Sequence, residues 1–326
     1  MGKKANCQAL VSLTLARREV PVCIGLRLYL PDIWVQDAGR RLQARIPLHM
    51  TAHPKWRLAL DEIDRVRAAG AVFGCVAADA EYGKAADFRA GLAERGLTYA
   101  VGVGPTQKVY PADVRVEEAP SRATGRPAKP KHPVPSVDSR SIADTIAALP
   151  AAAFRRLSWR QGTKGPLQGD FAAVRVRGGD GPLMSKNRHL PGSAAWLVCE
   201  RRLSGERKYY LTSHAEATTL EDLAAAIKAR WVCAQAHQQM KEELGLDHLE
   251  CRNWLALRHH AVLTMMALCF LQHRRLGGKS GAAYTEPGPP PRPSVPEIRR
   301  QLFQTTCDSR IRCPCCRALF SYHPHL

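Results

Sequence analysis

The segment from Cys75 to Val103 constrains the fold more than any other part of the 326-residue chain. Its apolar start, Cys75-Val-Ala-Ala, ends a run that reads as a buried strand and stops at Asp79. A helix is predicted from about Lys84 to Arg95, with Phe88 and Leu92 four residues apart on its inner side and Gly96 as its stop signal. Leu97 to Val103 is apolar again and reads as a second strand. Strand, helix and strand within so few residues make a βαβ crossover, so the chain is expected to be α/β. Asp79 then stands at a strand tip, where such folds place ligands and metals, although the position equally suits a helix cap or a turn.

Upstream, strands are predicted at about Cys7 to Ala16 and Val20 to Leu30. A helix with Trp56, Leu60 and Ile63 inward follows, leaving Asp61 and Asp64 on its solvated side. Downstream, Glu117 to Asp138 is rich in Pro, Arg and Lys and reads as an exposed linker. Strand-like runs at Asp170 to Arg177, Ala194 to Arg202 and Arg207 to Thr212 lie between glycine-containing turns, so this region is expected to be mostly β. Thr218-Thr-Leu-Glu221 reads as a capping box with Thr218 as the cap. Trp254, Leu257, Ala261, Met265 and Leu268 recur at helical steps, a core stripe expected to pack under the sheet. Past Leu276, the Gly- and Pro-rich sequence through Pro287 to Pro293 cannot build a core, and a short helix is possible at Val295 to Thr305.

The stretch Lys228 to Trp254 carries the main candidate for chemistry. Read as one helix, it brings positions 230, 234 and 241 within roughly 40° of one another on a single face. Arg230 and Lys241 are cations suited to phosphate oxygens, and Ala234 stands between them. A solvated surface is the plain alternative for such a face.

The stretch resembles the C-terminal signature of insertion-sequence DDE transposases, in which Tyr, Arg, Glu and Lys follow with two, three and six residues between them. Here Arg230 and Lys241 match, while Ile227 holds the tyrosine position and Ala234 the glutamate position. The resemblance implies an RNase H-like mixed sheet flanked by helices, with a β-rich insertion between the second and third acidic positions. It implies that Asp79 is the second acid and a metal ligand, with Mg²⁺ or Mn²⁺ as cofactor. It implies that Arg230 and Lys241, together with Trp159, Arg160 and Lys164 of the insertion, meet DNA. An alanine methyl binds no metal, and Glu242, about 12 Å along the helix axis from position 234, is a poor substitute.

The first acid would lie on a strand before Cys7, where Met1 to Asn6 holds no carboxylate, so the resemblance implies an N-terminally truncated, degenerate copy. Asp32, Asp37, Asp61 and Asp64 remain as surrogates. The implied organisation is a first part of the core over 1–104, linker and insertion over 105–217, the helical second part over 218–276 and a basic tail over 277–326. The implied activity is metal-dependent DNA strand cleavage and transfer, defective in this copy. The competing class is a non-catalytic DNA-binding product that represses, or poisons, an intact transposase. A further alternative is a decayed product without a role.

Charge agrees with that partner. With 48 Lys and Arg against 29 Asp and Glu, the chain carries a formal +19, which makes nucleic acid the polyanion to consider. From His273 to Leu326, nine Lys and Arg face three Asp and Glu. The eleven cysteines lie mostly in apparent core segments, which suits a reducing, cytoplasmic setting. Cys313, Cys315 and Cys316, with Cys307, His323 and His325, could complete a zinc tetrahedron or form a thiol-bearing tail. The longest apolar run, Ala261 to Leu271, is too short to cross a bilayer, so no membrane partner is expected.

Overall fold

The computed structural model describes residues 8–17, 20–118, 133–162, 165–185, 188–276 and 293–308. In chain order come β1 (Leu10–Arg17), β2 (Val20–Leu28), α1 (Asp32–Gln36), α2 (Ala38–Gln43) and α3 (Lys55–Ala68). Next are β3 (Cys75–Ala78), α4 (Ala80–Gly83), α5 (Ala86–Glu94), β4 (Thr98–Val103), β5 (Lys108–Pro111), β6 (Val116–Glu118) and β7 (Pro133–Pro135). Then follow β8 (Arg140–Ser141), α6 (Ile142–Ala147), β9 (Arg155–Gly162), β10 (Gly165–Gly178), β11 (Leu183–Ser185) and β12 (Arg188–His189). The described chain closes with β13 (Ala194–Arg201), β14 (Arg207–Thr212), α7 (Leu220–Lys228), α8 (Trp231–Leu244), α9 (Trp254–Arg275) and α10 (Val295–Asp308). These elements form two compact units, residues 53–231 and residues 1–52 with 232–326.

The 53–231 unit is built on an eight-stranded mixed sheet in the order β3-β4-β14-β13-β10-β5-β8, with β9 pairing β10. Only β3 and β4 run parallel, from Cys75 opposite Thr98 to Ala78 opposite Val101, because α4 and α5 form the crossover between them. The remaining pairs are antiparallel, so the strands expected in the insertion extend the same sheet that carries Asp79 at one end. Side chains alternate across it. Ala100, Phe171 and Val198 meet Leu157 and the Leu223, Ala224 and Ile227 face of α7. Val101, Leu197 and Leu211, one residue out of step, are buried on the opposite face. Each fully buried Leu or Phe of this kind contributes about 1.5–3 kcal/mol. This is the mixed sheet flanked by helices that the α/β reading requires.

In the 1–52 and 232–326 unit, β1 and β2 form an antiparallel hairpin whose register shifts between Leu13 and Thr14. Cys23 of β2 packs with Ala236 and Met240 of α8, Leu246, and Leu268 of α9. A second cluster joins Leu30, Ala44, Ile46 and Trp254. Asn253 caps α9, its Oδ1 accepting from the amides of Leu255 and Ala256 at 3.0 and 3.1 Å. Gly245, with φ +68°, ends α8 in the left-handed region, and His260 bonds its carbonyl at 2.9 Å.

Several expectations need correction. The stretch 228–254 is not one helix: α7 stops at Lys228, Ala229 and Arg230 form a turn, and α8 runs only from Trp231 to Leu244. The cap of α7 is Thr219 rather than Thr218, and its Oγ1 accepts from the Asp222 amide at 3.1 Å. The stripe on α9 is core as expected, but it packs against β2, outside the eight-stranded sheet. The 11-residue apolar run belongs to a 22-residue helix whose best 18-residue window has a mean hydropathy of 1.4, long and apolar enough by those measures to cross a bilayer. A core helix passes the same test, and α9 buries Trp254, Leu257, Ala261, Leu268 and Leu271. The expected helix near Val295 to Thr305 is α10. Lys164, residues 287–292 of the Pro-rich segment, the side chain of Cys307 and residues 313–325 lie outside the described residues.

Candidate functional site

Asp79 follows β3 directly and caps α4, its Oδ1 accepting from the Glu81 amide at 3.0 Å. Both readings of its position therefore coincide in one exposed residue. The corner is set by close backbone approach. A Cβ on Gly83 would lie 2.0 Å from the Gly102 carbonyl oxygen, and one on Gly102 would lie 2.9 Å from the Ala80 nitrogen, so α4 rests directly on β4. Buried Arg89 of α5 donates to the carbonyls of Gly83 and Ala85 and pairs with Asp180, which satisfies the carbonyls left free where α4 ends.

The neighbouring acid, Glu81, is held by Lys55 at 2.6 Å. Among the described residues no group of three or more His, Cys, Asp or Glu side chains converges to hold a metal ion. The surrogate acids have other partners. Asp37 caps α2 by accepting from the Arg40 amide at 2.9 Å, and Asp32 lies in the first turn of α1. Asp61 pairs with Arg57 at 3.1 Å and Asp64 with Arg95 at 2.6 Å. The Arg95 hydrogen bond holds the Asp64 carboxyl below its ordinary pKa. These donors do not fit a divalent-metal site, which needs several converging oxygens.

The three positions of the expected helix face are separated by the break after α7. Arg230 is exposed in the turn of the 53–231 unit. Ala234 and Lys241 are exposed on α8 of the other unit and, seven residues apart, share one stripe of it. Ile227, at the tyrosine position, is core and only 3% exposed. Two side chains that sequence reasoning passed over lie on α8 beside Ala234. Cys233 Sγ accepts from Thr14 Oγ1 at 3.4 Å, and His237 Nε2 lies 2.6 Å from Ser12 Oγ. Their spacing of four residues, which puts both on one side of a helix, was the available signal. Burial, and then the charge of Lys241, lower the His237 pKa, so the imidazole is neutral at neutral pH. A cavity of about 990 Å³ opens alongside, lined among others by Trp34, His237, Lys241, Arg252 and Trp254.

Trp159 and Arg160 lie on β9, where both rings and cations already have partners. Trp159 meets Phe171 edge-on at 5.5 Å, and the Lys228 ammonium sits 4.4 Å from its ring centroid. Lys228 also pairs at 2.7 Å with buried Glu200. The Arg160 guanidinium stacks 3.7 Å from the ring centroid of Trp231. Cation–aromatic contacts of this kind fix side-chain direction as well as adding about 0.5–2 kcal/mol each.

A family model described as DDE superfamily endonuclease matches residues 1–166. The matched part includes Asp79, Trp159, Arg160 and Lys164 and stops before Arg230, Ala234 and Lys241. No curated protein matches the chain at a significant level.

Proposed function

The chain belongs to the DDE superfamily endonucleases, and from that premise we propose that it is an insertion-sequence transposase that holds DNA but does not itself cut it. The family makes DNA the substrate and a transposase-like nuclease reaction the chemistry. The observation that carries the narrower reading is the state of Asp79: one carboxylate oxygen caps α4, and no set of acids converges to share a metal with it among the described residues. Two-metal displacement needs carboxylates that fix both ions so that the attacking and leaving oxygens stay in line. Ala234, at the position the resemblance gives to the third acid, adds no donor. Mg²⁺ or Mn²⁺ is the cofactor the resemblance implies, but the donor set described here does not fit it.

What the chain keeps is charge. Under this reading Arg230 and Lys241 meet phosphates, and Trp159, Arg160 and Lys164 line the DNA path. A formal +19 supplies long-range attraction to the duplex. A protein that occupies element ends without cutting them represses transposition, or poisons assemblies of an active copy.

The test is a strand-cleavage assay on duplexes carrying the element's own ends, with Mg²⁺ or Mn²⁺. The chain should bind and leave the strands intact. Ala234→Glu alone should not restore cleavage, because it adds a single carboxylate. Robust metal-dependent nicking that Asp79→Ala abolishes would overturn the reading.

A further inference from the structure

The cavity beside α8 is lined by the 1–52 and 232–326 unit alone. At about 990 Å³ it stands at the upper end of the range of small-molecule sites, about 300–1,000 Å³. Its walls come from the ends of β1 and β2, the segment from Trp34 to Ile46, and α8 with the loop that leads into α9. Leu30, Ile46 and Leu257 supply apolar surface, and Trp34 and Trp254 add two indole rings. The Arg40 guanidinium, 5.5 Å from the Trp34 ring centroid, helps to hold that ring in place. Trp254 is 8% exposed, and its indole N–H, closed to water, has no acceptor among the described residues. A buried donor left in this state is a cost, which an acceptor on a ligand would remove.

Lys241, Asp247, Glu250 and Arg252 line the same cavity and are exposed. Two are positive and two negative, so the set is neutral although the chain carries a formal +19. Among the described residues none of the four pairs with another, and Asp247 meets only His248, at 4.0 Å. We propose that the cavity binds a free aromatic α-amino acid, with tyrosine the best match. An amino acid carries an ammonium and a carboxylate, so it meets carboxylates and cations together. A nucleotide, anionic overall, would gain from Lys241 and Arg252 what it lost against Asp247 and Glu250. A flat apolar ring suits the walls, because aromatic pairs contribute beyond the area they bury. The phenolic oxygen supplies an acceptor for the Trp254 N–H once the indole turns towards the cavity, and the phenolic proton stays with water, for which the volume leaves room.

A ligand held there touches both sequence halves of this unit, the segment around Trp34 and the loop before α9, and stabilises their association by mass action. The amino acid then acts as an effector of the unit, not as a substrate. The proposal goes beyond the DNA reading. Lys241 alone is common to both, so the decisive substitutions are placed at Arg252 and Glu250. Amino-acid binding is measurable in a chain that binds no DNA, and DNA binding in a chain that takes no amino acid, so failure of one reading leaves the other standing.

The experiment is equilibrium dialysis of the full chain, freed of nucleic acid and at about 100 μM, against labelled L-tyrosine. The chain should hold one tyrosine with a Kd on the order of 10–1,000 μM, the range open to so small a ligand. Tyramine, which lacks the carboxylate, and hydroxyphenylpropionate, which lacks the ammonium, should each need on the order of tenfold more to displace it, and adenosine monophosphate should not displace it. Arg252→Ala and Glu250→Ala should each weaken binding on the order of tenfold. Both side chains are exposed, so the thermal midpoint of the empty chain should stay where it is, and either variant serves if the other fails to fold. Added L-tyrosine should raise that midpoint in the parent and less in the variants. No saturable binding, equal displacement by the two one-charge analogues, readier displacement by the nucleotide, or binding untouched by both substitutions overturns the proposal.

Discussion

Replacing Gly83 by alanine tests whether the Asp79 corner is set by backbone contact. In an exposed helix the change would stabilise by about 1 kcal/mol, because alanine is the better helix former. Here the new Cβ would meet the Gly102 carbonyl oxygen at 2.0 Å and the Val101 Cβ at 2.9 Å. Carbon and carbonyl oxygen need about 3.3 Å, so α4 must lift by more than about 1 Å from β4. Neither obstacle is a flexible side-chain tip. Overpacking of a rigid site costs about 1–3 kcal/mol, and the upper end applies where backbone opposes backbone. Set against the propensity gain, the net loss should be about 2 kcal/mol.

Gly91→Ala is the matched control. It is also helical and gains the same propensity, but its Cβ would meet the Leu60 Cδ1 at 2.5 Å, the end of a side chain that can rotate away. Its stability should stay within about 1 kcal/mol of the parent. Urea unfolding followed by tryptophan fluorescence gives both values, and amide exchange at β3 and β4 should quicken only for Gly83→Ala. Equal stabilities for the two variants, within about 0.5 kcal/mol, would refute the claim that close backbone approach fixes the corner.

Glu200→Gln should destabilise the 53–231 unit by about 3 kcal/mol, because it leaves the ammonium of Lys228, now 2.7 Å away, without its counter-charge; Lys228→Met in the same chain should recover part of the loss in urea titrations. The Tyr210 hydroxyl, 3.3 Å from Glu200 and pushed up in pKa by burial and then by that carboxylate, should titrate earlier in Glu200→Gln by ultraviolet absorbance. His237 has a lowered folded pKa, so its contribution is whole above the unfolded value of about 6.5 and is lost as pH falls towards the folded value. The thermal midpoint of the parent should therefore drop more steeply from pH 7 to pH 5 than that of His237→Gln; parallel curves would contradict the assignment. Arg230→Ala and Lys241→Ala should each weaken DNA binding and reduce the slope of log K against log salt by about 0.9, whereas an unchanged slope would remove that residue from the phosphate contacts.

The βαβ unit around Asp79 was legible because its signals are local: a four-residue apolar strand, two buried side chains a turn apart, and a glycine stop. The runs that became β10, β13 and β14 were legible for the same reason. What local pattern did not show was the turn at Ala229 and Arg230. Nothing in Lys228-Ala-Arg-Trp is a helix breaker, and the interruption accompanies tertiary contacts, with Trp231 under the Arg160 guanidinium and Ile227 in the core. Thr218 and Thr219 are chemically equivalent caps, and only the backbone chooses between them. The partners of Trp159 come from α7 and β10, distant in sequence, so an exposed indole and a packed one look alike in the chain.

One unit of this protein is interrupted in sequence by the whole of the other. Residues 1–52 reach their packing partners only after about 180 further residues have been made. At a synthesis rate of about 5–20 residues per second, that is roughly 10–40 seconds. During that interval Cys23 and Leu30 have neither α8 nor α9 to cover them. An isolated two-stranded hairpin is marginal in water, so the start of the chain must wait unfolded or in the care of a chaperone while the 53–231 segment folds as a continuous piece. Ribosome-bound chains halted just after the 53–231 segment has emerged should therefore be cut by protease within the first fifty residues, where the finished chain resists.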